Sequence, residues 1–137
     1  MIIIGTSVIG VSHLRSGLPC QDACNYKVTH KGTAMVAVAD GVGSVSKSDI
    51  GAKFVVSEAI SQLEQIEQTK DKIDMEDIQN VVALTREKLK QMADQMNEDF
   101  ENFATTLILL VAYTTEDNQK EVLIAHVGDG AVVAESD

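Results

Sequence analysis

Three aspartates of this 137-residue chain stand in short turns beside small residues, and their side chains are the best suited to chemistry. Asp40 ends an apolar run, Asp22 precedes an alanine, and Asp129 lies between two glycines. Two of them end predicted apolar strands, which places them at the rim of a sheet where several strands converge. Carboxylate oxygens on tight turns suit hard cations such as Mg2+, Mn2+ or Ca2+ rather than zinc or copper. Asp-Gly is also a common turn dipeptide, so each aspartate has the alternative interpretation of a turn residue without chemistry.

The apolar run Ala34–Ala39 leads directly to Asp40 and forms the centre of this predicted site. A continuous apolar run without alternation is typical of a strand covered on both faces. Gly41 and Gly43 follow at once, and glycines allow a sharp turn and a close approach of the backbone to whatever Asp40 holds. The segment therefore predicts a strand, a tight turn that carries an acid, and a helix after it.

The region before this run is predicted to contain strands and a loop. The β-branched residues of Ile2–Val8 predict an opening strand. Glycines and a proline predict a loop over Gly10–Cys24. Tyr26–His30 and Thr33–Ala39 are predicted to form a hairpin with a short turn at Lys31-Gly32.

Two long helices are predicted in the middle of the chain. The first runs from about Asp49 to Gln68, and Ser46 and Ser48 are its candidate N-caps. The second runs from about Met75 to Phe100, and Asp74 is its candidate N-cap. In both segments the apolar residues recur with the helical period and so define one face for burial.

The C-terminal region is predicted to return to strands. Ala104–Thr114 and Val122–Val127 form a hairpin, and Ala131–Ala134 forms a short last strand. Strands followed by two helices and then strands predict an α+β fold in which helices pack on an antiparallel sheet. A final strand at the edge of a sheet must be paired or blunted. We therefore expect either a fragment of a larger domain or a homodimer formed through an open sheet edge.

Composition excludes several classes of partner. The formal net charge is −10 and the sequence pI is about 4.6, which argues against nucleic acid or an anionic membrane as a partner. The apolar runs are too short to cross a bilayer and the first residues lack the pattern of a signal peptide, so we expect a cytoplasmic protein. Cys20 and Cys24 are expected to be reduced, and the sequence offers no further soft ligands at zinc-site spacing.

Six short segments, taken in order, resemble the motifs of the metal-dependent protein phosphatase family, type 2C, and in particular of its bacterial branch. These segments are Gly10-Val-Ser-His13, Gly17-Leu-Pro-Cys-Gln-Asp-Ala23, Val38-Ala-Asp-Gly-Val-Gly-Ser44, Ser48-Asp-Ile-Gly-Ala52, Ala104-Thr-Thr-Leu107 and Ala125-His-Val-Gly-Asp-Gly130. The resemblance implies an antiparallel β-sandwich flanked by helices, with two Mn2+ or Mg2+ ions in a cleft at one end and a possible third, weaker ion. It also implies that water activated by these ions hydrolyses phosphoserine or phosphothreonine in a phosphoprotein substrate.

The resemblance assigns roles residue by residue. Asp40 would bridge the two ions, the Gly41 carbonyl would bind one of them, and Asp22 would act near them through bound water. Asp129 would help to hold the third ion. Asp40 and Asp22 are thus the predicted catalytic residues, and Thr105 and Thr106 would pack beneath the site without a chemical role.

The chain also departs from the family pattern. Gln21 stands where the family often has an acid, Val42 where many members have a histidine, and Gly17 where members commonly have an arginine that holds the phosphate. Arg15 and His13 are the remaining candidates for binding the substrate phosphate. A solvated surface arginine and a loop histidine without a role in catalysis are the alternative interpretations.

The largest departure concerns the C-terminal half of the family's domain, which supplies two further metal-binding aspartates. We expect residues 1–137 to be the N-terminal portion of one such domain, and to be inactive alone because Asp40 without those partners binds metal weakly. The alternative is a non-catalytic relative that binds phosphopeptides or regulates another protein. The departures from the family pattern at Gln21 and Val42 favour this interpretation.

Overall fold

A computed structural model describes residues 2–135 of the chain, with the side chain of Ser12 excepted. Its helices are α1 (Val11–Ser16), α2 (Ser48–Thr69) and α3 (Met75–Gln95), and a short 3-10 helix spans Phe100–Phe103. Its strands are β1 (Asp22–Val28), β2 (Ala34–Asp40), β3 (Leu107–Thr114) and β4 (Lys120–Val127). The predicted α+β class is confirmed by this succession of elements.

The strands form one antiparallel sheet in the order β1-β2-β3-β4. The helices α2 and α3 connect β2 to β3 and lie together on one face of this sheet. Side chains of that face, such as Met35 and Leu109, are buried against apolar residues of both helices, such as Leu63 and Ile78. Because α2 begins and α3 ends near Asp40, the two helices cover the sheet from the predicted site to its opposite end.

The other face of the sheet is apolar and partly open in the described part of the chain. The cross-strand pairs Val38↔Ile108 and Val36↔Leu110 lie on it, and β4 adds Ile124 beside Leu110. Val38 is 42% exposed, so the prediction that β2 is covered on both faces is wrong for residues 2–135. A single sheet is described, and the predicted sandwich is not confirmed by residues 2–135.

The start and end of α3 are set by local sequence. Asp74 accepts a hydrogen bond from the Asp77 N–H at 2.9 Å, and the Asp77 side chain accepts one from the Asp74 N–H at 3.0 Å. This capping box confirms Asp74 as the N-cap. The helix ends at Gln95 rather than Phe100, because Asn97 adopts a φ of 53° and the Glu98 N–H bonds to the Ala93 carbonyl, which closes the last turn.

The N-cap predicted for α2 is wrong. Lys47 occupies the N-cap position and makes no side-chain capping bond, while Ser48 is the first residue of the helix. The Ser48 hydroxyl donates instead to the Val45 carbonyl at 3.2 Å and accepts a bond from Gln21. The helix itself matches the prediction to within about one residue.

Two predicted strands are absent from the described residues. Ile2–Val8 pairs with no strand, and Ile2 and Ile4 are 90% and 91% exposed. Ala131–Ala134 is also irregular. β-branched composition favours a strand only where a neighbouring edge offers backbone partners, and neither segment is paired with one.

The predicted loop Gly10–Cys24 also differs from the structure. It contains α1, which ends at Gly17 with a φ of 70°, and its last residues from Asp22 already belong to β1. No helix in the range 2–135 has both the length and the apolar character needed to cross a bilayer.

Candidate metal centre

The centre is built around two aspartates on neighbouring strands. Asp22 begins β1 and Asp40 ends β2, and the antiparallel register places them directly opposite each other. Partial burial, the neighbouring Asp22 side chain and the negative charge of Asp129 together raise the pKa of Asp40 above its ordinary value. Two acids that repel each other in this way are favourably placed to receive a cation.

The backbone of Asp40 is fixed by the two threonines before β3. The Asp40 N–H donates to Thr106 Oγ1 at 2.9 Å, and the Thr106 N–H donates to the Asp40 carbonyl at 2.9 Å. Thr105 Oγ1 donates to the same carbonyl at 3.0 Å. These bonds attach the end of β2 to β3, so the two threonines determine where the Asp40 carboxylate lies.

Gly41 lies where a side chain has no room. A Cβ at this position would come within 2.7 Å of the Ser48 carbonyl oxygen and 2.8 Å of the Gln21 carbonyl oxygen. The Gly41 N–H donates to the Gln21 carbonyl at 3.0 Å. The glycine is therefore required by close packing of three backbone segments around the turn after Asp40.

The start of α2 is held against the 3-10 helix by similar close contacts. The Val42 N–H bonds to the Ala104 carbonyl and the Lys47 N–H bonds to the Asn102 carbonyl, both at 3.0 Å. A Cβ at Gly51 would lie only 2.1 Å from the Phe103 carbonyl oxygen. The turn that carries the acid thus rests on a backbone frame rather than on flexible side chains.

Asp129 lies in the turn that follows β4. It stands between Gly128 and Gly130, whose φ values of 91° and 138° favour glycine. A Cβ at Gly128 would contact the Thr106 side chain at 2.7 Å, so this turn lies beside the threonine that holds Asp40. The charge of Asp129 reaches Asp40, which contributes to the raised pKa of that carboxyl.

The predicted phosphate ligands both lie within α1, rather than in a loop. His13 is half-buried and Arg15 is exposed. Within the described residues, no hydrogen bond or ion pair joins either side chain to Asp22, Asp40 or Asp129. The structure therefore leaves their role in phosphate binding as a prediction.

The donor set fits a hard divalent cation but forms only part of a site. Two carboxylates and nearby backbone carbonyls are oxygen donors of the kind that Mn2+ and Mg2+ accept. Across residues 2–135, however, no group of three or more His, Cys, Asp or Glu side chains is arranged to hold a metal ion.

Two polar residues of the centre were not predicted from the sequence. Gln21 is buried and donates to Ser48 Oγ at 2.9 Å, which links the segment before Asp22 to the start of α2. Ser48 is completely buried. The only sequence signal was their position within motifs next to the aspartate and glycine of the turn.

Residues 9–137 match the family model described as Protein phosphatase 2C. The chain belongs to this family.

A relative from Escherichia coli (strain K12), Serine/threonine-protein phosphatase 3, is 32% identical over 139 residues. The match covers 97% of this chain and 53% of the relative, so the chain spans about half of the relative's length. No solved structure gives a significant match.

Proposed function

We propose that the complete protein hydrolyses phosphoserine or phosphothreonine in a phosphoprotein substrate with the help of Mn2+ or Mg2+. The observation that carries this proposal is the Asp22–Asp40 pair at the rim of the sheet. Neither acid takes part in an ion pair with any Lys or Arg side chain that the structure describes. The family membership and the named activity of the relative point to the same reaction class.

Each residue of the centre has a proposed task. Asp40 and the Gly41 carbonyl would hold the two ions, Asp22 would orient water beside them, and Asp129 would help to hold a third, weaker ion. Divalent ions bound in such a site would lower the pKa of water and neutralise phosphate charge, which favours attack of water on phosphorus with release of the serine or threonine hydroxyl. Arg15 and His13 are proposed to bind the substrate phosphate, since α1 lies only a few residues before Asp22.

The open face of the sheet supports the proposal that this chain is the N-terminal portion of a sandwich. It carries a broad apolar surface formed by Val36, Val38, Ile108, Leu110, Val122 and Ile124. An apolar surface of this breadth is typical of a buried interface, and a second antiparallel sheet is the occupant that a sandwich fold supplies. We therefore propose that residues 1–137 alone are inactive and that further acids come from the second layer.

A homodimer and a cytoplasmic location stay predictions. β1 and β4 are the two edges of the sheet, and either offers unpaired backbone groups to a second copy. Sedimentation of the full-length protein tests the dimer: a monomer at all concentrations contradicts it.

The proposed function is tested with the full-length protein, Mn2+ and a phosphothreonine peptide or p-nitrophenyl phosphate. The Asp40→Asn variant is expected to lose at least about 100-fold in turnover, because the bridging carboxylate is gone. Asp117→Asn is the matched control, since Asp117 is an exposed acid in the turn between β3 and β4 at the opposite end of the sheet.

Equal turnover by the Asp40→Asn variant contradicts the proposal. Binding of the phosphopeptide without hydrolysis at millimolar Mn2+ favours the non-catalytic alternative instead.

A further inference from the structure

Gln21 lies directly beneath the turn that carries Asp40, and its side chain is buried. The residue is only 7% exposed, although it is polar and adjoins the exposed Asp22. Burial of an amide is costly unless its polar atoms are hydrogen-bonded. A glutamine kept in such a place therefore calls for an explanation.

The amide nitrogen of Gln21 has a specific partner. Nε2 donates to Ser48 Oγ at 2.9 Å, and Ser48 Oγ in turn donates to the Val45 carbonyl at 3.2 Å. This chain of bonds runs from the residue before Asp22 to the first residue of α2 and back into the turn. It encloses Gly41, whose N–H is bonded to the Gln21 carbonyl.

The amide oxygen of Gln21 has no partner. Oε1 is fully buried without a hydrogen bond, and a Cβ built at Gly43 would lie 3.7 Å from it. The oxygen thus lies under the same turn, on the side away from solvent. A neutral acceptor in this position leaves the centre with three acids, whereas a carboxylate would add a fourth negative charge.

We propose that Gln21 is a positioning residue of the metal centre, which acts through Ser48 to fix the turn Asp40–Gly43. The inference rests on the proposed function, since it assumes that this turn binds divalent ions. Gln21 touches neither substrate nor the reacting atoms in this assignment. Its effect is to hold Asp40 and Gly41 in one arrangement, so that little ordering is needed when a cation binds.

The chain offers a matched control for this proposal. Gln62 is also a buried glutamine, and its Nε2 donates to the buried hydroxyl of Thr85 at 3.1 Å. This second glutamine–hydroxyl bond joins α2 to α3 and belongs to no part of the metal centre. A role in general stability is common to both bonds, and a role in metal affinity is expected of the Gln21 bond alone.

The experiment measures Mn2+ affinity of the full-length protein by calorimetry, together with thermal stability without metal. Gln21→Met and Ser48→Ala are each expected to weaken Mn2+ binding about tenfold. The double variant is expected to be no weaker than either single variant, because both remove the same bond. Gln62→Met is expected to lower thermal stability while Mn2+ affinity stays within about twofold of the unchanged protein.

The possible results separate the inference from the function on which it rests. The inference alone is overturned if Gln21→Met and Ser48→Ala bind Mn2+ as tightly as the unchanged protein. It is also overturned if Gln62→Met weakens Mn2+ binding as much as they do. Absence of Mn2+ binding by the unchanged full-length protein overturns the proposed function as well. Where Gln21→Met does not fold, the comparison of Ser48→Ala with Gln62→Met decides.

Discussion

The two ends of the sheet are held together by different means. At the end that carries Asp22 and Asp40, backbone groups of neighbouring segments form hydrogen bonds directly with one another. The three acids of the centre (Asp22, Asp40 and Asp129) have no ion pair with a cationic side chain among the described residues. At the opposite end, lysines bridge the elements through ion pairs. These pairs are Lys27–Glu64, Lys70–Asp77 and Lys72–Glu121.

The pKa directions follow this division. The pKa of Glu121 is lowered by the neighbouring Tyr113 and Lys72 side chains, and that of Asp74 by the Asp77 N–H and by Lys70. The pKa of Asp40 is raised. Charges at the opposite end therefore stabilise the fold, whereas charges at the metal centre cost stability and are kept in place by the backbone frame around them.

The difference supports the proposed position of the metal centre at the end of the sheet that carries Asp22 and Asp40. Acids that are already paired with lysines have little to gain from a cation, while acids that repel each other bind one with relief of that repulsion. The Lys47–Glu98 pair lies near the metal-centre end as well, but it connects the start of α2 to the segment after α3 and leaves the strand ends untouched.

The largest expected effect on stability comes from breaking the backbone frame. Gly51→Ala places a Cβ 2.1 Å from the Phe103 carbonyl oxygen, which is backbone and cannot move aside cheaply. We expect a loss of about 3 kcal/mol in the free energy of unfolding, measured by urea denaturation of the full-length protein.

Ser57→Ala is the control for this variant, because Ser57 is an exposed position of the same helix and is expected to change stability by less than about 0.5 kcal/mol. If both variants change the free energy of unfolding by similarly small amounts, the backbone at the metal centre is not rigidly packed. The proposed difference between the two ends of the sheet is then wrong.

A smaller effect on stability is expected from removing one negative charge at each end of the sheet. Without divalent ions at neutral pH, Asp40→Asn is expected to raise the melting temperature by roughly 2 °C, because it removes a repelled charge. Glu121→Gln is expected to lower it by a similar amount, because it removes the partner of Lys72. Calorimetric scans in the presence of a chelator measure the melting temperatures of both variants. A decrease in the melting temperature of both contradicts the difference in charge between the two ends.

The smallest effect concerns the pH dependence of the paired acids. Asp74 has a folded-state pKa below the ordinary 3.8, so its ionised form stabilises the fold fully above that value. This stabilisation is lost as the pH falls through the lowered pKa. Asp74→Ala is expected to lower the melting temperature by roughly 1 °C near neutral pH.

Asp74→Asn serves as its control, since the amide oxygen still caps α3 at every pH. The difference between the Ala and Asn variants measures the cap alone. If the loss in Asp74→Ala does not shrink on acidification, the charge of Asp74 contributes nothing to the fold.

Much of the fold follows from local sequence patterns. The helical period predicts α2 and α3, Asp74 predicts the start of α3, and apolar runs separated by short turns predict both hairpins. These features depend on neighbours within a few residues along the chain, which is why they can be deduced without a structure. The family motifs added the identity of the acids but not their arrangement.

Other features arise only when distant segments meet. Ile2–Val8 has the composition of a strand, yet it pairs with no strand of the described fold, although Ser7 contacts the edge strand β1, so it stays irregular. Asp22 lies opposite Asp40 because of the register between β1 and β2. The raised pKa of Asp40 follows from its partial burial and from this neighbouring acid rather than from its sequence context.

The sequence by itself determined the two long helices, the hairpins and the acids that are proposed to bind a hard cation. Only the tertiary structure decided that Gln21 would be buried beneath the turn and that Gly41 and Gly51 would admit no side chain. The physical reason is that periodicity and capping act between near neighbours in the chain, whereas burial, repulsion and steric exclusion depend on which backbones pack together in space.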